Sequence, residues 1–98
     1  MTDTPPPAPA FREISAERFD DAFNVLPPIH VGDGFLVSEP QEDRVCRVTG
    51  GLRATYRAFL RIGGRHHEAV ESLTVPEFRE FVAARAWARL FARADGGA

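Results

Sequence analysis

From Leu52 to Ile62 the chain alternates almost without a break. Leu52, Ala54, Tyr56, Ala58, Leu60 and Ile62 fall on one side, and Arg53, Thr55, Arg57, Phe59 and Arg61 on the other. Period two marks a half-buried strand, because successive side chains of an extended chain point to opposite faces. Leu52, Tyr56, Phe59 and Leu60 also fit a helical stripe, so periodicity alone leaves both readings open. The residues that follow favour the strand. Gly63-Gly64 supplies the positive φ angles of a two-residue hairpin turn, and Arg65-His66-His67-Glu68-Ala69-Val70 can return as its partner. Closure there pairs Leu60 with His67, Arg61 with His66 and Phe59 with Glu68, which puts His66 and Glu68 on the arginine face and His67 on the apolar one.

The flanking segments supply the rest of the fold. Ser15 can cap a helix that begins at Ala16, with Ile14 packing on Phe19 as a hydrophobic staple. Phe19, Ala22, Phe23 and Leu26 form one stripe, the helix ends near Asn24 or Val25, and Pro27-Pro28 blocks its continuation. Gly34 to Ser38 reads as a strand, Pro40 to Asp43 as a turn and Arg44 to Thr49 as a second strand, before Gly50-Gly51 breaks the chain. A last helix opens on a capping box of Thr74 and Glu77, with Leu73 and Phe78 as its staple and Pro76 in the first turn. Phe78, Phe81 and Val82 face one way, whereas Ala84, Trp87, Ala88 and Phe91 face another. The helix therefore bends, packs on two surfaces, or meets a second chain beyond about Ala84. The expected architecture is α+β: a helix, an antiparallel three- or four-stranded meander and a C-terminal helix, with both helices on the sheet's apolar face. Ninety-eight residues hold one such domain, spanning 11–94, after a disordered Pro-rich tail (1–10) and before a frayed end (95–98).

Charge narrows the candidate functions. All 12 basic side chains are arginine, and the net charge of -2 is a cancellation. Residues 1–43 hold two arginines against nine acids, a net of −7, and residues 44–98 hold ten against five, a net of +5. A GC-rich genome explains a Lys-free, Ala-rich composition whatever the function. A pI of 5.9 also argues against a phosphate-binding domain, which usually lies above about 9. Cys46 is the only cysteine, so no internal disulfide forms, and a reducing cytoplasm is the expected compartment. The start lacks the pattern of a signal peptide, and no apolar run approaches the ~20 residues of a membrane span.

No motif specific to one chemistry appears, and no enzyme is expected. His66 and His67 cannot chelate one ion together because neighbouring strand residues face apart; a metal would need His66, Glu68 and the distant His30. Closed zinc sites take about four ligands, so no metal or cofactor is expected. Cys46 reads as a small buried apolar residue rather than a nucleophile. Three surfaces are left as binding candidates. Asp20, Asp21, Glu39, Glu42 and Asp43 form an acidic surface; Arg53, Arg57, Arg61 and His66 form an arginine face; Trp87, Leu90 and Phe91 form a face for homodimerisation. Arg85, Arg89 and Arg93 repeat the arginine theme on the last helix.

At Phe11-Arg12-Glu13-Ile14, Val25-Leu26-Pro27-Pro28, Gly34 to Pro40, Gly63-Gly64-Arg65 and Leu73 to Phe78, the chain resembles short bacterial proteins carried on plasmids, integrative elements and phages. That family has no assigned activity. The resemblance covers roughly residues 11–80 and implies a setting in which small accessory proteins bind host machinery, including restriction and CRISPR systems. The functional expectation is a non-enzymatic protein-binding module, an inhibitor of a host defence complex of anti-CRISPR or anti-restriction type. An acidic surface could fill a basic nucleic-acid channel. The alternative is a nucleic-acid-binding accessory or regulatory protein that uses the arginine face.

Overall fold

The computed structural model describes residues 9–85, and its organising element is the hairpin around Gly63 and Gly64. These glycines take φ of 57° and 78°. Strands β6 (Ala58–Ile62) and β7 (Arg65–Ala69) pair across them in the expected register, with Phe59 opposite Glu68, Leu60 opposite His67 and Arg61 opposite His66. Strand β1 (Phe11–Ile14) adds outside β7; β3 (Gly34–Val37) and then β2 (Pro28–Val31) add outside β6. The result is a five-stranded antiparallel sheet in the order β1-β7-β6-β3-β2. The expected three- or four-stranded meander is therefore corrected to a larger, non-sequential sheet, within the expected α+β class. Two of its strands escape sequence patterning. Phe11 to Ile14 lacks alternation, and Pro28 argues against a strand until one sees that it begins an edge strand, where proline is tolerated.

Helices α1 (Ala16–Ala22) and α2 (Val75–Ala83) cover opposite faces of this sheet. Leu36, Ala58 and Leu60 pack against Phe78, Phe81 and Val82 of α2. On the other side Val37 and Phe59 pack against Phe19 of α1, with Phe23 and Phe35 at the margin. This corrects the expectation of one apolar face. Phe59 stands among the arginines in the alternation, yet α1 covers it completely. Ser15 caps α1 by accepting from the Arg18 N–H, and Thr74 and Glu77 complete the predicted capping box of α2. Gly34 lets α2 approach β3 closely: a Cβ there would collide with the Phe78 ring.

The run from 52 to 62 is two strands, not one. Strand β5 (Leu52–Tyr56) leaves the main sheet at Arg57 and forms a second, three-stranded sheet with β4 (Asp43–Val45) and β8 (Leu73–Thr74). At the break the Arg57 carbonyl accepts from the Val37 N–H, so its backbone stays tied to the main sheet. Strand β4 ends at Val45, and Cys46 to Gly51 close a tight loop through Cys46 N–H to Gly51 O and Gly50 N–H to Cys46 O, both 2.8 Å. Helix α2 ends at Ala83. Arg85 follows with φ of 52°, so it does not extend a helical arginine stripe. Arg89, Arg93 and the expected dimer face of Trp87, Leu90 and Phe91 lie outside the described residues, as does most of the Pro-rich segment. Ala10, at that segment's end, accepts from the Val70 N–H and so extends the pairing of β1 with β7. No described helix is long and apolar enough to cross a membrane.

Candidate functional site

Of the predicted arginine face, Arg57, Arg61 and His66 lie on the α1 side of the main sheet, each in a separate contact, and Arg53 lies apart on the second sheet. Arg53, on the second sheet, donates from Nε to Thr49 Oγ1 at 3.3 Å. Arg57 turns onto Glu68, reaching Oε2 with Nη2 at 3.2 Å and Nε at 3.3 Å, and lies over the Phe59 ring. Arg61 lies over the Phe35 ring, 5.7 Å from its centre. His66 packs against the Phe19 ring, its plane tilted by 55° and its centre 4.7 Å away. Strand alternation places these side chains correctly within each strand but cannot reveal the break at Arg57 or the carboxylate that draws it in.

That carboxylate is the centre of a cluster. Glu68 is buried in mid-sheet, and Arg12 from β1, Arg18 from α1 and Arg57 from the β5–β6 junction all converge on it. Arg12 is its cross-strand partner in the register of β1 with β7. Beside the cluster, Phe19, Phe23, His30, Phe35 and Arg61 line an open aromatic groove of about 460 Å³.

A second constellation supports the β4–β5 hairpin from behind. Glu77 accepts from Arg44 at both oxygens, at 2.7 and 2.8 Å, and from the backbone N–H groups of Arg47 and Thr74. Burial alone would raise its pKa; the Arg44 side chain and these N–H groups prevail and hold it at about 2. Cys46 is fully buried beside it and accepts a hydrogen bond from Thr74 Oγ1 at 3.2 Å. Burial would push this thiol up, but hydrogen bonds from the Thr49 and Thr74 side chains and from the backbone of Thr49 and Val48 bring it down to about 7. The sequence identifies Cys46 as a buried residue and gives no sign of this polar setting. We predict that iodoacetamide leaves Cys46 unlabelled in the folded protein near pH 7.5 and labels it fully in denaturant. Fast labelling in the folded state, followed by mass spectrometry, would contradict the burial.

The five predicted acidic residues are all exposed and divide between two places. Asp20 and Asp21 lie on α1 over the main sheet, whereas Glu39, Glu42 and Asp43 lie on the approach to β4 and its first residue. Among the described residues no group of three or more His, Cys, Asp or Glu could hold a metal ion; His66 and Glu68 each face other partners. No family model, curated protein or solved structure matches the chain.

Proposed function

We propose that the chain is a small non-enzymatic protein-binding module whose partner is a host defence complex. The resemblance to mobile-element proteins makes restriction and CRISPR complexes the first partners to test. The observation that best supports protein binding is the tip of the β4–β5 hairpin, where Val45, Val48 and Leu52 are 57%, 46% and 70% exposed. Isolated exposed apolar residues are ordinary, but a group of them on one projection favours an interface. Val45 and Leu52 are cross-strand partners, so they stand side by side. Glu77 braces the tip by binding both the Arg44 side chain and the Arg47 backbone, which lowers the ordering cost of docking. Arg47 pairs with Glu71 at 3.6 Å and Arg53 bonds Thr49, so the complementary surface is chiefly an apolar pocket for Val45, Val48 and Leu52.

Nucleic-acid binding has less support, because Arg53, Arg57 and Arg61 separate into three local contacts instead of a continuous basic stripe. The test is binding of the immobilised protein to purified restriction and CRISPR complexes, beside gel shifts with DNA and RNA across a salt series. Retention of a protein complex without a nucleic-acid shift at low salt is expected. A shift that weakens steeply with salt, without any protein capture, would replace this reading with the nucleic-acid one.

A further inference from the structure

Three guanidiniums converge on Glu68, more than a buried carboxylate needs. Arg18 Nε hydrogen-bonds Oε1 at 3.1 Å, and Arg57 hydrogen-bonds Oε2 through Nη2 and Nε, so both oxygens are already satisfied. Arg12 Nη2 stands 3.6 Å from Oε1, adding charge without a hydrogen bond. The Glu68 side chain is 7% exposed, while those of Arg12, Arg18 and Arg57 are 54%, 53% and 37% exposed. Three positive charges against one negative leave a surplus of two at one spot. Among the described residues, no second carboxylate forms an ion pair with any of the three. Like charges gathered around one carboxylate repel each other, and an external anion would relieve that repulsion.

We propose that Arg12, Arg18 and Arg57 form a binding site for a phosphate monoester, with Glu68 as the internal carboxylate that gathers them. A monoester carries about −1.5 to −2 charges at neutral pH, matching the surplus, and offers oxygens to which guanidinium forks bind in pairs. A phosphodiester or a single carboxylate carries only about −1 and leaves part of the surplus in place. Each guanidinium has five N–H donors, of which Glu68 engages at most two, so donors are left for a ligand. The three come from a strand, a helix and a strand junction, all packed on one sheet face, so their spacing is set by the fold. This goes beyond protein binding through the hairpin tip and uses none of the tip's residues.

The test is titration of the full chain with inorganic phosphate and with O-phosphoserine at constant ionic strength, read by calorimetry and by the arginine Nε–H resonances. Saturable binding that moves the Arg12, Arg18 and Arg57 resonances is expected. Binding of both probes identifies a phosphorylated side chain as a competent source of the group, and binding of inorganic phosphate alone identifies free phosphate. Arg12→Ala should weaken binding about tenfold, as loss of one charge-assisted contact does, and Arg12→Ala with Arg18→Ala should abolish it. Both side chains are exposed, so melting curves should show folded variants; the resonance shifts test the wild type independently. No saturable response, shifts confined to other arginines, or unchanged affinity in the variants would overturn the site. An oligonucleotide without terminal phosphates that binds as tightly as the monoesters would overturn the monoester assignment.

Discussion

Phe59→Ala should cost about 3–5 kcal/mol, a large share of the ~5–15 kcal/mol that usually holds a small domain folded. Phe59 lies where the central strand β6 meets α1, fully buried with Phe19 and Val37. Its ring meets Phe19 and Phe23 edge to face, at 5.9 and 5.2 Å, and carries the Arg57 guanidinium on its face. Truncation would therefore remove buried apolar area and aromatic edge contacts and loosen the seat of Arg57, leaving a cavity that a central strand cannot close by shifting. Val25→Ala, at the exposed end of the same region, should change stability by no more than about 0.5 kcal/mol. Urea unfolding of both variants checks the contrast. If Phe59→Ala were as mild as Val25→Ala, the two-sided core would be wrong.

Glu77→Ala should be comparably severe, at about 3–5 kcal/mol, because it leaves the Arg44 guanidinium without its partner and removes the acceptor for two backbone N–H groups. The same residue sets an acid limit. Its carboxyl falls from an ordinary 4.5 to about 2 on folding, so the unfolded chain binds the proton more readily. Its contribution is therefore fully present above about pH 4.5 and declines as pH falls toward 2; a shift of that size corresponds to about 3 kcal/mol. Wild-type stability should fall over this window, and in Glu77→Ala that part of the slope should vanish. Equilibrium unfolding from pH 6 to 2.5 measures both. Parallel curves for the two proteins would show that Glu77 titrates normally.

Local chemistry was legible from the sequence to the extent that it is local. Ser15, the Thr74–Glu77 box and Gly63-Gly64 act within a few residues of themselves, so the caps, the turn and the β6–β7 register all follow from reading along the chain. What depends on distant segments did not show. Phe59 looks polar-facing until α1 is known to cover it, and the break at Arg57 exists because Glu68 and Val37 hold that residue from other strands. The arginines were visible as a group, but their sorting into Glu68, Thr49 and Phe35 contacts needed the sheet order. The sequence marks Glu77 as a capping residue; its grip on Arg44, 33 positions away in the chain, carries no sequence pattern.

Docking through the β4–β5 tip is tested most directly by the affinity of Val48→Asp with Leu52→Asp for any complex that the wild type captures. Both residues are exposed, so the double variant should melt within a few degrees of wild type. It should bind at least about a hundredfold more weakly, since each substitution sets a charge against an apolar pocket. Wild-type affinity in a folded double variant would contradict the claim.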